Sequence, residues 1–82
     1  MLTLYMRPTC PYCHKVEDAA RELGIELEEK DIADEAVTAE LMQRGGKRQV
    51  PYLVDAARGV EMYESEAIIA HLRTLAPSSP PG

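Results

Sequence analysis

Eighty-two residues, 45% of them hydrophobic, suffice for one small domain around one apolar core. Fourteen acidic residues against nine Lys and Arg leave a formal net charge of −5, which excludes indiscriminate binding to nucleic-acid phosphates or anionic membranes. The chain holds two cysteines, close together in sequence, so no disulfide framework can staple the fold; with four Tyr and no Phe or Trp, aliphatic side chains must fill the core.

The start, Met1 to Met6, lacks the basic region and cleavage site of a secretory signal, and no apolar run approaches the ~20 residues that span a bilayer. A cytoplasmic protein is expected. Leu2, Leu4 and Met6 alternate with Thr3 and Tyr5, the pattern of a strand. After the loop Arg7-Pro8-Thr9, Cys10 stands at an N-cap and Pro11 at the first helical position, where a missing N–H costs least. Val16, Ala19, Ala20 and Leu23 keep helical spacing, and Gly24 ends the helix. Alternation returns from Ile25 to Asp31, a second strand.

Asp34 caps a second helix through Val37, Leu41 and Met42, stopped by Gly45-Gly46. Lys47-Arg48-Gln49 is a basic loop in an acidic chain. Val50 to Asp55 reads as a third strand interrupted by Pro51, and Ala56 to Gly59 as a turn into a short fourth strand, Val60 to Tyr63. Ser65 is expected to cap a last helix whose apolar stripe is Ile68, Ile69, Leu72 and Leu75; His71, off that stripe, is expected to face solvent. Residues 1–76 form the expected domain, and 77–82, rich in Pro and Ser, a frayed tail. The order β-α-β-α-β-β-α gives an α/β class: a four-stranded mixed sheet with helices on both faces. Its first two strands should be parallel and its last two an antiparallel hairpin.

The chemistry lies in Cys10-Pro11-Tyr12-Cys13. Strand, C-x-x-C, then helix is a thiol–disulfide exchange signature. At the N-cap, the Cys10 thiolate can accept the N–H groups of Tyr12 and Cys13 with the helix dipole behind them. Cys13, one turn in, should be more buried and less ready to ionise. Cys10 is then the nucleophile and Cys13 the resolving thiol. Two rival readings are weaker. A structural zinc site needs four ligands, so His14 and His71 would both have to converge on the cysteines. Cys10-x-x-Cys13-His14 fits the pattern of covalent haem attachment, but neither a signal peptide nor an all-helical pattern accompanies it.

These residues resemble a known family. Cys10-Pro11-Tyr12-Cys13 matches the dithiol glutaredoxin motif, and Val50-Pro51 matches that family's Val-Pro, a cis proline facing the cysteines. Glu64-Ser65-Glu66-Ala67-Ile68 is similar to the Glu-Ser-x-Ala-Ile segment of glutathione-transferase N-terminal domains. The resemblance, over Met1 to about Leu75, implies a thioredoxin-like fold and a thiol–disulfide oxidoreductase with glutathione as co-substrate and no metal. It implies glutathione-binding roles for Arg7, Tyr12, Gln49, Val50, Pro51, Glu64 and Ser65. Arg7 would take the glycyl carboxylate, Val50 the cysteinyl backbone, and Glu64 and Ser65 the γ-glutamyl end. Glutathionylated or disulfide-bonded proteins would be the partners of a monomer, with no nucleic acid and no membrane.

Overall fold

In the computed structural model, which describes residues 2–75, seven elements succeed one another as β1 (Leu2–Met6), α1 (Pro11–Leu23), β2 (Leu27–Asp31), α2 (Glu35–Gly45), β3 (Tyr52–Asp55), β4 (Val60–Tyr63) and α3 (Ser65–Leu75). The segment 77–82 lies outside the described residues. The strands form one sheet in the order β2-β1-β3-β4. β1 and β2 are parallel, Leu2 opposite Leu27 and Met6 opposite Asp31. β3 runs antiparallel to β1, Leu4 opposite Leu53, and β4 runs antiparallel to β3, Tyr52 opposite Tyr63. The α/β class and mixed sheet expected from the element order are the observed ones.

Strand alternation divides the interior into two layers. Leu2, Leu4, Met6 and Leu53 point toward α1 and α3, where Cys13, Val16, Ala20, Ile68 and Leu72 meet them. Tyr5, Tyr52 and Val54 point the other way, onto Ile32 and Leu41. Both faces of β1 and β3 are therefore covered. Burying each branched aliphatic side chain contributes roughly 1.5–3 kcal/mol, enough in sum to hold a chain without a structural disulfide.

Local chemistry sets most boundaries. Gly24 adopts a left-handed conformation (φ 71°); its N–H reaches the Arg21 carbonyl at 3.2 Å and the Ile25 N–H reaches that of Ala20 at 2.9 Å. This double closure of α1 takes Ile25 out of the strand, so β2 begins at Leu27 and not at Ile25. Asp34 caps α2 as expected, accepting from the Ala36 N–H at 2.9 Å. The third strand begins at Tyr52, two residues later than expected, because Pro51 has no N–H to give a ladder.

The C-terminal end of α2 shapes the loop after it. A Cβ at Gly45 would overlap the Tyr63 ring, its Cζ only 2.7 Å away, so glycine lets β4 approach the helix. The Tyr63 hydroxyl donates to the Lys47 carbonyl at 2.8 Å and accepts the Lys47 N–H at 3.1 Å. Tyr63 thereby pins the loop that leads into Gln49 and Val50.

Two expectations are corrected in and around α3. Ser65 is the first helical residue, and Glu64 holds the cap position, its carbonyl accepting the Ile68 N–H at 3.0 Å. Glu64 takes φ 77°, a conformation that costs a residue with a side chain roughly 1–2 kcal/mol. His71 does not face solvent: Nε2 lies 2.9 Å from Asp55 Oδ2. Asp55 closes β3 while almost fully buried, and Arg58 joins it from the β3–β4 turn at 3.4 Å. A carboxylate so placed requires partners, and it has the Arg58 guanidinium from the turn and the His71 ring from the flank of α3.

Candidate functional site

The turn before α1 positions the first thiol. The Cys10 N–H donates to the Arg7 carbonyl at 3.0 Å, closing a turn with Pro8 at its second position, where the ring's fixed φ suits it. Cys10 is extended (φ −85°, ψ 116°) and caps α1 with its sulfur, which accepts the Cys13 N–H at 3.3 Å. Tyr12, the other expected donor, does not share this role among the described contacts. Both cysteines are free thiols, Cys10 half-buried and Cys13 buried.

Burial pushes the Cys13 thiol up to about 12, helped by its hydrogen bond to Cys10 and by the charges of Cys10 and Glu17; backbone hydrogen bonding at Arg7 opposes them in part. Cys13 is therefore protonated at neutral pH and walled into the core with Leu4, Val16 and Leu53. Cys10 is the sulfur that solvent reaches.

Two clefts meet beside it. One, of about 380 Å³, is lined by Cys10 with Arg7, Thr9, Pro11, Ile32, Arg48 and Val50. The other, of about 450 Å³, is lined by Tyr12, Gln49, Val50, Pro51, Glu64, Ser65 and Glu66. Val50 belongs to both. It precedes β3, so its peptide groups lie outside the sheet ladder, and the Val50–Pro51 bond is cis. The first cleft carries two guanidiniums, the second two carboxylates and the N-terminus of α3.

The structure thus brings together every residue singled out from the sequence. Arg7 and Cys10 lie in one cleft, Tyr12, Gln49, Pro51, Glu64 and Ser65 in the other, Val50 at the junction and Cys13 beneath the thiol. Sequence reasoning missed Thr9, Ile32 and Glu66 as wall residues. Ile32 comes directly after β2 and its N–H bonds the Met6 carbonyl at 3.0 Å, which carries it to the sheet edge near Cys10. It also missed Tyr63, whose only sequence signal was a tyrosine ending a strand after a Gly-Gly pair. Among the described residues no three His, Cys, Asp or Glu side chains converge as a metal site. No described helix is long and apolar enough to cross a membrane.

The sequence model of the glutaredoxin family matches residues 2–56, from β1 through both cysteines to the end of β3. The chain belongs to the glutaredoxin family. Glutaredoxin 3 of Escherichia coli K12 is 33% identical over 55 residues, a stretch that spans 65% of this chain and 66% of that protein. Among solved structures, a delta-class glutathione transferase of Nilaparvata lugens superposes at TM-score 0.80 with 27% identity, covering 96% of this glutaredoxin-family chain and 38% of the transferase. A trimeric glutathione transferase of Leishmania gives TM-score 0.77 at 30% identity, with 93% of this chain and 17% of that one covered. A mutant of the thioredoxin-like protein BC3987 matches at TM-score 0.76 and 24% identity over 92% of this chain and 97% of its own. The fold is thioredoxin-like.

Proposed function

We propose that this glutaredoxin-family chain is a glutathione-dependent thiol–disulfide oxidoreductase, with Cys10 as nucleophile and Cys13 as resolving thiol. The single observation that supports it best is the pair of oppositely charged clefts meeting at Val50 beside the Cys10 sulfur. Glutathione carries a carboxylate at its glycyl end and both an ammonium and a carboxylate at its γ-glutamyl end. Arg7 suits the glycyl carboxylate. Glu64 suits the ammonium, while Ser65 and the first N–H groups of α3 suit the γ-glutamyl carboxylate. Free Val50 peptide groups suit the cysteinyl backbone between them, a contact that places the ligand sulfur without reading side chains. Tyr12, 58% exposed, and Gln49 and Pro51 complete the wall.

Each step exchanges one S–S bond for another. Cys10 thiolate attacks the glutathione sulfur of a mixed disulfide; a new S–S bond forms, the old one breaks, and the target leaves as a thiolate that takes a proton. A second glutathione thiolate attacks the glutathione sulfur held on Cys10, giving glutathione disulfide and restoring the Cys10 thiolate. With a protein disulfide, Cys10 first bonds one target sulfur and releases the other. Cys13 then loses its proton and attacks the Cys10 sulfur, the Cys10–target bond breaks, and the target thiolate takes a proton, leaving a Cys10–Cys13 disulfide for two glutathiones to reduce. Cys13 can stay neutral until then because it lies buried one turn below. Targets would be glutathionylated or disulfide-bonded proteins, met in the cytoplasm by a monomeric domain of residues 1–76.

Variants test the division of labour. Cys13→Ser should keep reduction of glutathione mixed disulfides and lose most reduction of protein disulfides, while Cys10→Ser should lose both. Equal turnover by wild type and Cys10→Ser refutes the proposal.

A further inference from the structure

His14, beside the cysteines, is left without a role by the proposed function. It comes directly after Cys13 and is solvent-exposed, yet its ring is tied down. Nε2 lies 2.6 Å from the carbonyl oxygen of Pro8, six residues back and on the other side of the nucleophile. A peptide carbonyl only accepts, so Nε2 must carry a proton in this contact, whether the ring is neutral or charged. That nitrogen is thereby unavailable as a base toward Cys10. Its effect falls instead on the turn it touches.

The turn Arg7-Pro8-Thr9-Cys10 is closed by one backbone bond, from the Cys10 N–H to the Arg7 carbonyl. Pro8 offers no N–H, and no element covers the turn, whose residues Arg7, Pro8 and Thr9 are all exposed. The His14 N–H reaches the Cys10 carbonyl at 3.1 Å, which fixes the backbone of His14 in the first turn of α1. Its ring then reaches back across that helix end to Pro8. The result is a closed loop of contacts, backbone on one side and imidazole on the other, with Cys10 inside it and Arg7 at its edge.

The geometry points to His14 as a positioning residue: by holding the Pro8 carbonyl it fixes the Arg7–Cys10 turn, and so sets where the Arg7 guanidinium stands relative to the Cys10 sulfur. The part concerning Arg7 rests on the glutathione reading above; the part concerning the turn does not. Cys10 must pass through thiolate, glutathione adduct and internal disulfide, each with a different load on its sulfur. A turn held by a second anchor keeps the anion-binding arm in register through all of them. Without the anchor, the arm is held by a surface turn and the Arg7 backbone contact to Cys13, and binding of the glycyl end carries the cost of ordering its side chain.

Three variants and three readouts decide the matter. His14→Phe keeps a ring and removes the donor; His14→Gln keeps a side-chain N–H of similar reach; Arg7→Gln removes the arm. In the absence of glutathione, amide exchange at Cys10 should speed up in His14→Phe and return to the wild-type rate in His14→Gln. With a glutathione mixed-disulfide peptide, His14→Phe should raise KM about fivefold, the factor one ordinary hydrogen bond is worth, with kcat largely preserved. His14→Gln should restore KM, and adding His14→Phe to Arg7→Gln should raise KM no further. Wild-type exchange at Cys10 in His14→Phe, a neutral His14 protonated on Nδ1 by long-range ¹H–¹⁵N NMR, or a His14→Gln as impaired as His14→Phe overturns the inference. If the wild type ignores glutathione, the proposed function fails, and exchange at Cys10 still decides whether His14 holds the turn.

Discussion

Folding should make Cys13 a poor nucleophile toward small reagents, by a margin set by its surroundings. Its thiol lies at about 12 against 9.0 for a free cysteine, with burial the largest cause. That difference lowers the thiolate population at neutral pH by about a thousandfold, and alkylation proceeds through the thiolate. In a Cys10→Ser variant the hydrogen bond to Cys10 and its charge are gone, but the burial remains. A conservative expectation is then a rate about a hundredfold below that of the same variant unfolded in urea. The assay is iodoacetamide labelling of Cys10→Ser at neutral pH, then intact-mass spectrometry, with and without denaturant. Cys13→Ser, which leaves the accessible sulfur, should label readily while folded. Labelling of Cys13 in folded Cys10→Ser within about tenfold of the unfolded rate would mean the thiol is not held neutral by burial, and the argument for its role as a waiting second thiol would fail.

Packing and charge lead to three further outcomes. Gly45→Ala should destabilise the fold by about 1–3 kcal/mol in urea unfolding, since the new methyl meets the Tyr63 ring, and should loosen the Lys47 loop as read by its amide exchange. Stability should fall at alkaline pH: Cys13, Tyr5 and Tyr52 are all raised by burial, so the folded state keeps protons that the unfolded chain releases above pH 9.0. A flat alkaline limb would contradict those shifts. Asp55 behaves in the opposite sense. Burial alone would raise its carboxyl, but the His71 hydrogen bond and the Arg58 charge outweigh that and hold it below the ordinary 3.8. Its contribution is whole above pH 3.8 and is lost as pH falls through the folded value, so Asp55→Asn should flatten the acid limb of a stability profile.

What could be read from the sequence was what local chemistry dictates. Cys10 with Pro11 after it announced a helix start, Gly24 and Asp34 a helix end and start, and the alternation around Leu4 a strand; each stands where it was expected. The grouping of the candidate site residues was legible for the same reason, since they flank helix starts and a proline at the head of a strand. What was missed had no signal in local spacing. His71 looks like a solvent residue by helical spacing, and only the proximity of buried Asp55 turns it inward. Ser65 looks like a cap, but Glu64 takes that position by adopting a left-handed backbone that no propensity favours. Gly45 reads as a stop signal, although its bare Cα serves to admit Tyr63. Neither His71 nor Gly45 carries its partner, Asp55 or Tyr63, in its own segment of sequence.

The most direct measurement is a coupled turnover assay on one mixed-disulfide peptide with two alternative electron supplies: glutathione with glutathione reductase, and thioredoxin reductase alone. Opposed charges in the two clefts around Val50 lead to rapid turnover with the first supply and little with the second. Turnover through thioredoxin reductase with indifference to glutathione would contradict the account at its centre.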